Sequence, residues 1–308
     1  MKKDKKKKLR KKFKVRPASA VQAAEFPVSS PLSEAVCSGD SGRVLSLLEQ
    51  QADPNQRVGN SSCSDSLLDL AVTRSGSPEI LRLLLERGAD PNRAFHLEVY
   101  PNGMAYRRSP LQEAAAAGSG ELVRLLLEHG ADSNLPELGF APTGEPVRTS
   151  MLSCAVLRRH AEILRLLLEH GADPNRATRT VSCGGHLSRV PVLSDAAVTV
   201  QDGELVRLLL EHGADPDCAL VGFCEDGRPM EESLLNIAVR KGCKTEILRQ
   251  LLERGADPNR AYRLWAGRRG NVFYTPLYDA MKQDRGSEAV QLLRQFGAFL
   301  MTAKDDEA

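Results

Sequence analysis

The sequence predicts an all-α fold, a solenoid of stacked helix-turn-helix units that carry β-hairpin fingers, and three observations support this prediction. The segment Gly120–Asp132 recurs in near copies, and the Gly-Ala pair of each clear copy follows the previous pair after 41 or 42 residues. A Leu and an Ala three residues apart precede every copy. A dipeptide typical of tight turns lies in the middle of the segments between most copies. A fixed period of this length indicates units that bury their apolar faces by stacking on one another.

The first helix of each unit begins at a residue that can cap it. Ser109 can accept hydrogen bonds from the free N–H groups of the first turn, and Pro110 suits a position whose N–H would be unpaired. The same capping role is predicted for Ser30, Ser66, Ser150, Ser233 and Thr275. A small alanine in each helix allows a neighbouring helix to approach closely. The Leu/Ala pairs are Leu32/Ala35, Leu68/Ala71, Leu111/Ala114, Leu152/Ala155, Leu193/Ala196, Leu235/Ala238 and Leu277/Ala280.

A second helix follows in each unit, for example Glu121–Glu128, and is predicted to end at a glycine such as Gly130. Glycine readily adopts the left-handed conformation that closes a helix. An Asp-Pro pair follows the Gly-Ala pair in four units, where it prevents continuation of the helix and starts a turn. These pairs begin at Asp90, Asp173, Asp215 and Asp257.

The string Thr275-Pro276-Leu277, followed by Ala280, and the recurring Leu-Leu-Leu-Glu-x-Gly-Ala-Asp-Pro-Asn resemble the ankyrin repeat. The resemblance covers residues 31–301 as seven units, at about 31–55, 66–93, 109–134, 150–176, 192–217, 233–260 and 275–300. It implies an ankyrin-repeat α-solenoid that recognises other molecules without enzymatic activity. The period is longer than the roughly 33 residues of an ankyrin repeat. Other residues replace the usual His after Thr-Pro-Leu in every unit, so the hydrogen bonds of that His must be made by other groups.

The extra length of the repeats lies between the units, at roughly 94–108, 135–149, 177–191, 218–232 and 261–274. Asn102-Gly103 and Asp226-Gly227 are among the strongest signals of hairpin turns. Thr143-Gly144, Gly184-Gly185 and Gly270-Asn271 occupy the equivalent places. We therefore expect lengthened β-hairpin fingers. Because an isolated hairpin is marginally stable in water, neighbouring fingers should support one another side by side.

Nine of the fourteen aromatic residues lie in the fingers, and the last finger holds the single Trp beside several Arg. Trp, Tyr and Arg dominate binding hot spots. We therefore predict a partner-binding set that consists of Tyr262, Arg263, Trp265, Arg268, Arg269, Phe273, Tyr100, Tyr106 and Arg107. One alternative is that these rings pack across strands and between fingers. Another is that they stack on single-stranded nucleic acid, which the acidic body of the protein disfavours.

The residue before each helix alanine is acidic in odd units and apolar in even units: Glu34, Leu70, Glu113, Cys154, Asp195, Ile237 and Asp279. One hypothesis is a row of carboxylates that meets a basic partner. The alternative, which we favour, is that the position is half-buried and that neighbouring units compensate for its charge.

Residues 1–16 contain eleven Lys and Arg against one Asp, whereas the rest of the chain has an excess of acidic residues. Such a block repels itself, so we expect residues 1–16 to form a disordered basic tail. Residues 17–30 are expected to be a linker, and residues 302–308 an acidic tail. An import signal, a nucleic-acid contact, an anionic-lipid contact and an inert tail all remain open. The residues concerned are Lys5, Lys6, Lys7, Lys8, Arg10, Lys11 and Lys12.

Catalytic and metal-binding motifs are absent from the sequence. The seven cysteines are scattered without a Cys-x-x-Cys pair, which fits reduced thiols in the cytoplasm or nucleus and predicts no metal or cofactor. His129, His170 and His212 occupy one repeat position near a helix end, which indicates an architectural role. No apolar run approaches the ~20 residues that span a bilayer. We therefore expect a protein that is not an enzyme.

The sequence thus favours a monomeric adaptor that binds a protein partner through its concave face and fingers. A ubiquitin-ligase substrate receptor belongs to the same class, although no recruiting box is recognisable in the seven residues after Met301. An alternative is a nuclear regulatory factor whose basic arm contacts nucleic acid, and a third is a structural spacer. Fold alone does not identify the ligand.

Overall fold

The computed structural model describes residues 29–60, 63–92, 96–99, 105–135, 137–140, 146–181, 187–223, 229–265, 271–284 and 287–300. The predicted tails and nearly all of the linker lie outside these residues. Within them the chain forms seven two-helix units in the predicted order. The helices are α1 (Pro31–Ser38), α2 (Ser41–Glu49), α3 (Leu67–Leu70), α4 (Pro78–Glu86), α5 (Pro110–Ala117), α6 (Gly120–Glu128), α7 (Met151–Leu157), α8 (Ala161–Glu169), α9 (Val192–Ser194), α10 (Gly203–Glu211), α11 (Leu234–Arg240), α12 (Thr245–Glu253), α13 (Pro276–Gln283) and α14 (Glu288–Gln295).

The predicted caps form at five of the six positions. At Ser30, Ser66 and Ser109 the hydroxyl accepts from the backbone N–H three residues on, and the side chain at that position accepts from the cap's own N–H. Ser233 and Thr275 also cap their helices. The prediction for Ser150 was wrong, because its side chain accepts no capping hydrogen bond from the first turn of α7.

The first helices of units two and five each end in a π-helical segment, Ala71–Ser75 after α3 and Asp195–Val200 after α9. These units have one residue more between the helix leucine and the terminal glycine than units three and four. A π-helical turn accommodates such an insertion without displacing the second helix. Unit six has the same extra residue but places it in the turn between α11 and α12.

The fingers are antiparallel hairpins, as the sequence predicts. Their strands are β1 (Arg57–Asn60), β2 (Cys63–Ser66), β3 (His96–Val99), β4 (Ala105–Arg108), β5 (Glu137–Phe140), β6 (Pro146–Thr149), β7 (Thr178–Val181), β8 (Leu187–Val190), β9 (Ala219–Phe223), β10 (Pro229–Ser233), β11 (Tyr262–Trp265) and β12 (Asn271–Tyr274). Strands β3 to β10 join into one eight-stranded sheet in chain order, which confirms that neighbouring fingers support one another. The β1–β2 hairpin was missed, and nearly all residues of the predicted turn tips lie outside the described residues.

The core is one continuous stripe of buried apolar residues that extends from Leu32 to Leu293. The alanines of the Leu/Ala pairs are fully or almost fully buried, at 2% exposure or less. This confirms the role of a small residue between closely packed helices. Gly130 has φ 83° and ends α6 as predicted. The ring Nδ1 of His129 lies 2.9 Å from the carbonyl oxygen of Leu125, and His170 and His212 make the same contact, which supports their architectural role.

A ladder of asparagines links the turns of successive units. Asn134 donates to the carbonyl oxygen of Gly171 at 2.8 Å and accepts from the N–H of Asp173 at 2.8 Å. Asn55, Asn92 and Asn259 make the same two contacts with the unit that follows each of them. Each side chain therefore replaces water on two backbone groups of the following turn and links that turn to its own unit.

Candidate functional site

One face of each first helix carries two rows of side chains, of which the second is the more accessible. The first row is the position before the helix alanine, as given above. The second row lies three residues further on, which places it beside the first on a helix surface. It consists of Cys37, Thr73, Ala116, Leu157, Val198, Arg240 and Lys282.

These rows face the finger sheet. Arg240 of the second row pairs with Glu232 at the base of β10, with Nη2–Oε2 and Nε–Oε1 distances of 2.6 Å and 3.1 Å. Arg108 of β4 lies 3.8 Å from Glu113 of the first row. The two rows and this face of the sheet therefore form the two sides of an angle, which we call the concave surface.

The first row is mostly buried or half-buried. Leu70, Ile237 and Asp279 are buried, Glu113, Cys154 and Asp195 are half-buried, and Glu34 is exposed. Neighbouring residues compensate for the acidic members, since Glu113 pairs with Arg108 and Asp195 is hydrogen bonded to Ser153 of the preceding unit. This supports the favoured interpretation for Glu113 and Asp195, whereas Glu34 is exposed and does not fit it.

Burial raises the pKa of two carboxyl groups on this surface. Desolvation raises the pKa of Asp195 to about 6, and the hydrogen bond to Ser153 opposes the rise only in part. Desolvation also raises the pKa of Glu232, which is 1% exposed, while its hydrogen bond and ion pair with Arg240 oppose that rise. Asp195 therefore takes up a proton at a higher pH than an exposed aspartate does, and the negative charge of Glu232 is held beside the positive charge of Arg240.

The second row is apolar in its middle. Ala116, Leu157 and Val198 follow one another in units three to five, and Leu157 is 50% exposed. Cys37 and Thr73 lie before this patch, and the basic Arg240 and Lys282 lie after it. An apolar centre with a polar surround is the usual arrangement of a protein-binding surface. We call Ala116, Leu157 and Val198 the apolar centre.

Sequence reasoning missed the apolar centre, although a signal was present. The repeats place its three residues at one equivalent position, and Leu157 is the largest apolar side chain in that row. The predictions gave weight instead to aromatic and arginine content in the fingers. Repeat position combined with an accessible helix face would have identified Leu157.

The residues of the predicted partner-binding set are spread over two fingers. Tyr106 and Arg107 belong to β4, and Tyr262, Arg263 and Trp265 belong to β11. Phe273 lies in β12 directly opposite Arg263. Tyr100, Arg268 and Arg269 lie outside the described residues, as do Lys5, Lys6, Lys7, Lys8, Arg10, Lys11 and Lys12 of the basic tail.

An aromatic contact joins the last finger to α13, the first helix of unit seven. The rings of Tyr274 and Tyr278 are 5.1 Å apart at an angle of 58°, and Tyr278 is 44% exposed. In the six earlier units the equivalent position is buried, and Gln112 and Asn236 use it to donate to the carbonyl oxygens of Leu135 and Arg260. Other groups thus make hydrogen bonds at the position of the missing histidine, as expected.

Neither a metal site nor a membrane-spanning helix is found in the described part of the chain. Its His, Cys, Asp and Glu side chains form no cluster of three or more that could hold a metal ion. None of its helices is long and apolar enough to cross a bilayer.

Comparison with known families agrees with this geometry. A family model described as ankyrin repeats in three copies matches residues 95–178, and the single ankyrin-repeat model matches residues 64–94. The chain is an ankyrin-repeat protein. Ankyrin repeats are in general protein–protein interaction modules and are typically non-enzymatic. No curated protein matches the chain significantly.

Three solved structures illustrate how this ankyrin-repeat protein resembles others. The ankyrin repeat domain of Bcl-3, a member of the IkappaB family, has 25% identity and a TM-score of 0.60, with 87% of this chain and 99% of that chain covered. The human ASB11 ankyrin repeat domain has 25% identity and a TM-score of 0.51 over 89% and 100%. An ankyrin repeat domain from Acinetobacter baumannii AYE has 26% identity and a TM-score of 0.54 over 74% and 98%.

Proposed function

We propose that this ankyrin-repeat protein is a non-enzymatic adaptor that binds a protein partner through its concave surface. The observation that carries the proposal is the apolar centre, above all the 50% exposure of Leu157 in the middle of the array. When a partner covers an exposed apolar patch within a polar surround, burial of the apolar surface stabilises the complex. Arg158 donates to the carbonyl oxygen of Ala116 at 2.9 Å and so fixes units three and four beside the patch.

Leu157→Asp should remove binding to such a partner without unfolding the protein, because the side chain is already half in water. Proximity labelling in cells with the intact chain and with Leu157→Asp would test this. The matched control is Arg165→Asp on the exposed face of the second helix α8. A specific set of proteins lost with Leu157→Asp and kept with Arg165→Asp supports the adaptor. An unchanged set, with unchanged thermal stability, would overturn it.

The last finger is proposed as a second contact, because it holds Trp265 and several arginines in sequence and its Tyr274 contacts the exposed Tyr278 of α13. The triple variant Trp265→Ala, Arg268→Ala and Arg269→Ala should lose part of the same protein set. A chain that lacks residues 1–16 should keep that set. If only the truncated chain changes its partners and its location, the finger has no role in recognition.

A second candidate function is a nuclear regulatory factor whose basic arm contacts nucleic acid, and eleven basic residues in the first sixteen favour it. Both candidates place the protein in the cytoplasm or the nucleus. A ubiquitin-ligase substrate receptor remains a form of the adaptor, and the likeness to the ASB11 domain is compatible with it. Phosphate contacts would make the affinity for nucleic acid fall steeply with salt, whereas binding at the apolar centre would depend on salt only weakly.

A further inference from the structure

The face of the finger sheet that points away from the concave surface carries a row of arginines. Residues directly opposite one another on adjacent strands share one face of a sheet. The strand register defines such a row across all eight strands, which we call the back row. Its positions are Leu97, Arg107, Leu138, Arg148, Arg179, Arg189, Val221 and Glu231.

The contacts of Glu231 and Glu232 establish which face this is. Glu232 pairs with Arg240 on the concave surface, and successive strand residues point to opposite faces. Glu231 instead pairs with Arg260, in the turn after α12, at 3.4 Å. Arg189, Val221 and Glu231 line a groove of about 480 Å³ together with turn residues such as Asp215 and Asp217. The back row therefore lies on the side of the turns.

Three arginines of the back row, Arg148, Arg179 and Arg189, occupy adjacent positions on three neighbouring strands. Strand spacing is about 4.8 Å, so three positively charged residues follow one another at short intervals along this face of the sheet. Arg189 is exposed, and its side chain makes no hydrogen bond or ion pair within the described residues. A row of positively charged residues at this spacing is suited to a binding partner of opposite charge.

The sheet itself offers little negative charge on this face. Within the described strands, Glu231 is the one acidic residue on the face of the back row, and Arg260 already pairs with it. Arg260 also binds Asp217 at 2.6 Å, and both interactions raise its pKa above the ordinary value. The other positions on this face, two residues along each strand, are Val99, Ala105, Phe140, Pro146, Val181, Leu187, Ala219, Phe223, Pro229 and Ser233.

We propose that the back row binds an extended, acidic peptide segment of a partner protein. The row of four arginines from β4 to β8 spans four strand spacings, about 19 Å, which matches about six residue steps of an extended chain. Every second residue of such a chain faces the same way, so a segment with an acidic residue at alternate positions can present about four carboxylates to the row. Paired guanidinium and carboxylate groups form strong, directional hydrogen bonds.

The charges at the end of the row favour a short acidic peptide over a nucleic acid. Beyond Arg189 the row continues with Val221 and Glu231, beside Asp215 and Asp217 of the groove. A phosphate backbone that continued past the arginines would meet these carboxylates. A peptide of about seven residues can end before them.

The test uses the full chain and the fluorescein-labelled heptapeptide Glu-Ser-Glu-Ser-Glu-Ser-Glu in a titration followed by anisotropy at fixed salt. The double variant Arg148→Gln and Arg179→Gln should bind at least about 10-fold more weakly. The control Arg165→Gln and Arg207→Gln removes the same charge from exposed positions on second helices and should bind like the intact chain. The concave-surface variant Leu157→Asp should also bind like the intact chain, which separates this proposal from the adaptor function.

A photo-crosslinking form of the same peptide locates the site, because the basic tail could also attract it. Crosslinks to β6, β7 or β8 support the proposal, and crosslinks confined to residues 1–16 overturn it. Equal affinities of the double variant and the control also overturn it. A single-stranded seven-nucleotide DNA that binds more tightly than the peptide, and loses affinity in the double variant, would assign the row to nucleic acid instead.

Discussion

At the scale of single residues, Asp195 shows how burial adjusts the chemistry of the concave surface. It occupies the first row between Cys154 and Ile237, half-buried at the start of the π-helical segment of unit five. Desolvation raises its pKa to about 6, while Ser153 supplies one hydrogen bond that opposes the rise. A carboxylate there is costly at neutral pH, because the surroundings solvate its charge less well than water does.

We predict that Asp195→Asn stabilises the protein at pH 7. The pKa of Asp195 is higher in the folded than in the unfolded chain, so between pH 4 and 6 the folded state binds more protons. Stability contributed by this group is therefore lost as the pH rises through that window. Asparagine is neutral throughout, so the difference between variant and wild type should be largest above pH 6 and should vanish near pH 4.

Urea unfolding at pH 4.5 and pH 7 measures this difference. Glu128→Gln removes a charge from an exposed position of α6 and serves as the control. A variant Asp195→Asn that is less stable than the wild type at pH 7 would contradict the prediction.

At the scale of the elements, the sequence determined where helices begin and end better than how they continue. Leu, Ala and Gly recur at fixed intervals, and helix pairs follow from them. The pattern of recurring residues did not predict the π-helical segments, because one extra residue can be accommodated inside the helix or in the turn after it. Unit five accommodates the extra residue inside the helix and unit six accommodates it in the turn, a difference that the repeat pattern does not indicate.

The π-helical segment of unit five ends at Gln201, which has φ 53° and ψ 46°. Glycine takes the equivalent place in units one, two and three, at Gly39, Gly76 and Gly118. A residue with a Cβ is strained in this left-handed region by about 1–2 kcal/mol, and replacement by glycine relieves that strain. Glycine also raises the conformational entropy of the unfolded chain, which offsets part of the gain in stability. We therefore predict that Gln201→Gly stabilises the protein by about 0.5 kcal/mol in thermal unfolding. Gln201→Ala, which retains the Cβ, should bring no gain, and an equal gain would refute the cause.

At the scale of the whole molecule, stability depends on the interfaces between units. Each unit contacts mainly its neighbours, and the asparagine ladder spans successive turns. At Asp217 the ladder changes, since a carboxylate cannot donate to the next carbonyl and pairs with Arg260 instead. The eight-stranded sheet adds a second connection for units two to six, whereas the first and last fingers are separate hairpins.

We predict that Asn134→Ala weakens the interface between units three and four by about 2 kcal/mol, because it removes two hydrogen bonds. In a linear array a weak central interface lets the two parts unfold at different denaturant concentrations, so the transition should broaden. Asn55→Ala removes the same two contacts near the end of the array and should release only the first unit. An equally sharp transition for both variants would show that the ladder does not determine cooperativity.

The sequence by itself determined the repeat, the helix pairs, most of their caps and five of the six hairpin fingers, because each depends on residues close together along the chain. The tertiary structure alone decided which strands pair between fingers and therefore which residues share a face. It also placed Leu157 between Ala116 and Val198, and arginines of four strands in one row. These groups are contributed by different units, about 40 residues apart along the chain in the case of the apolar centre. Their proximity follows from the stacking geometry, which local residue patterns do not specify.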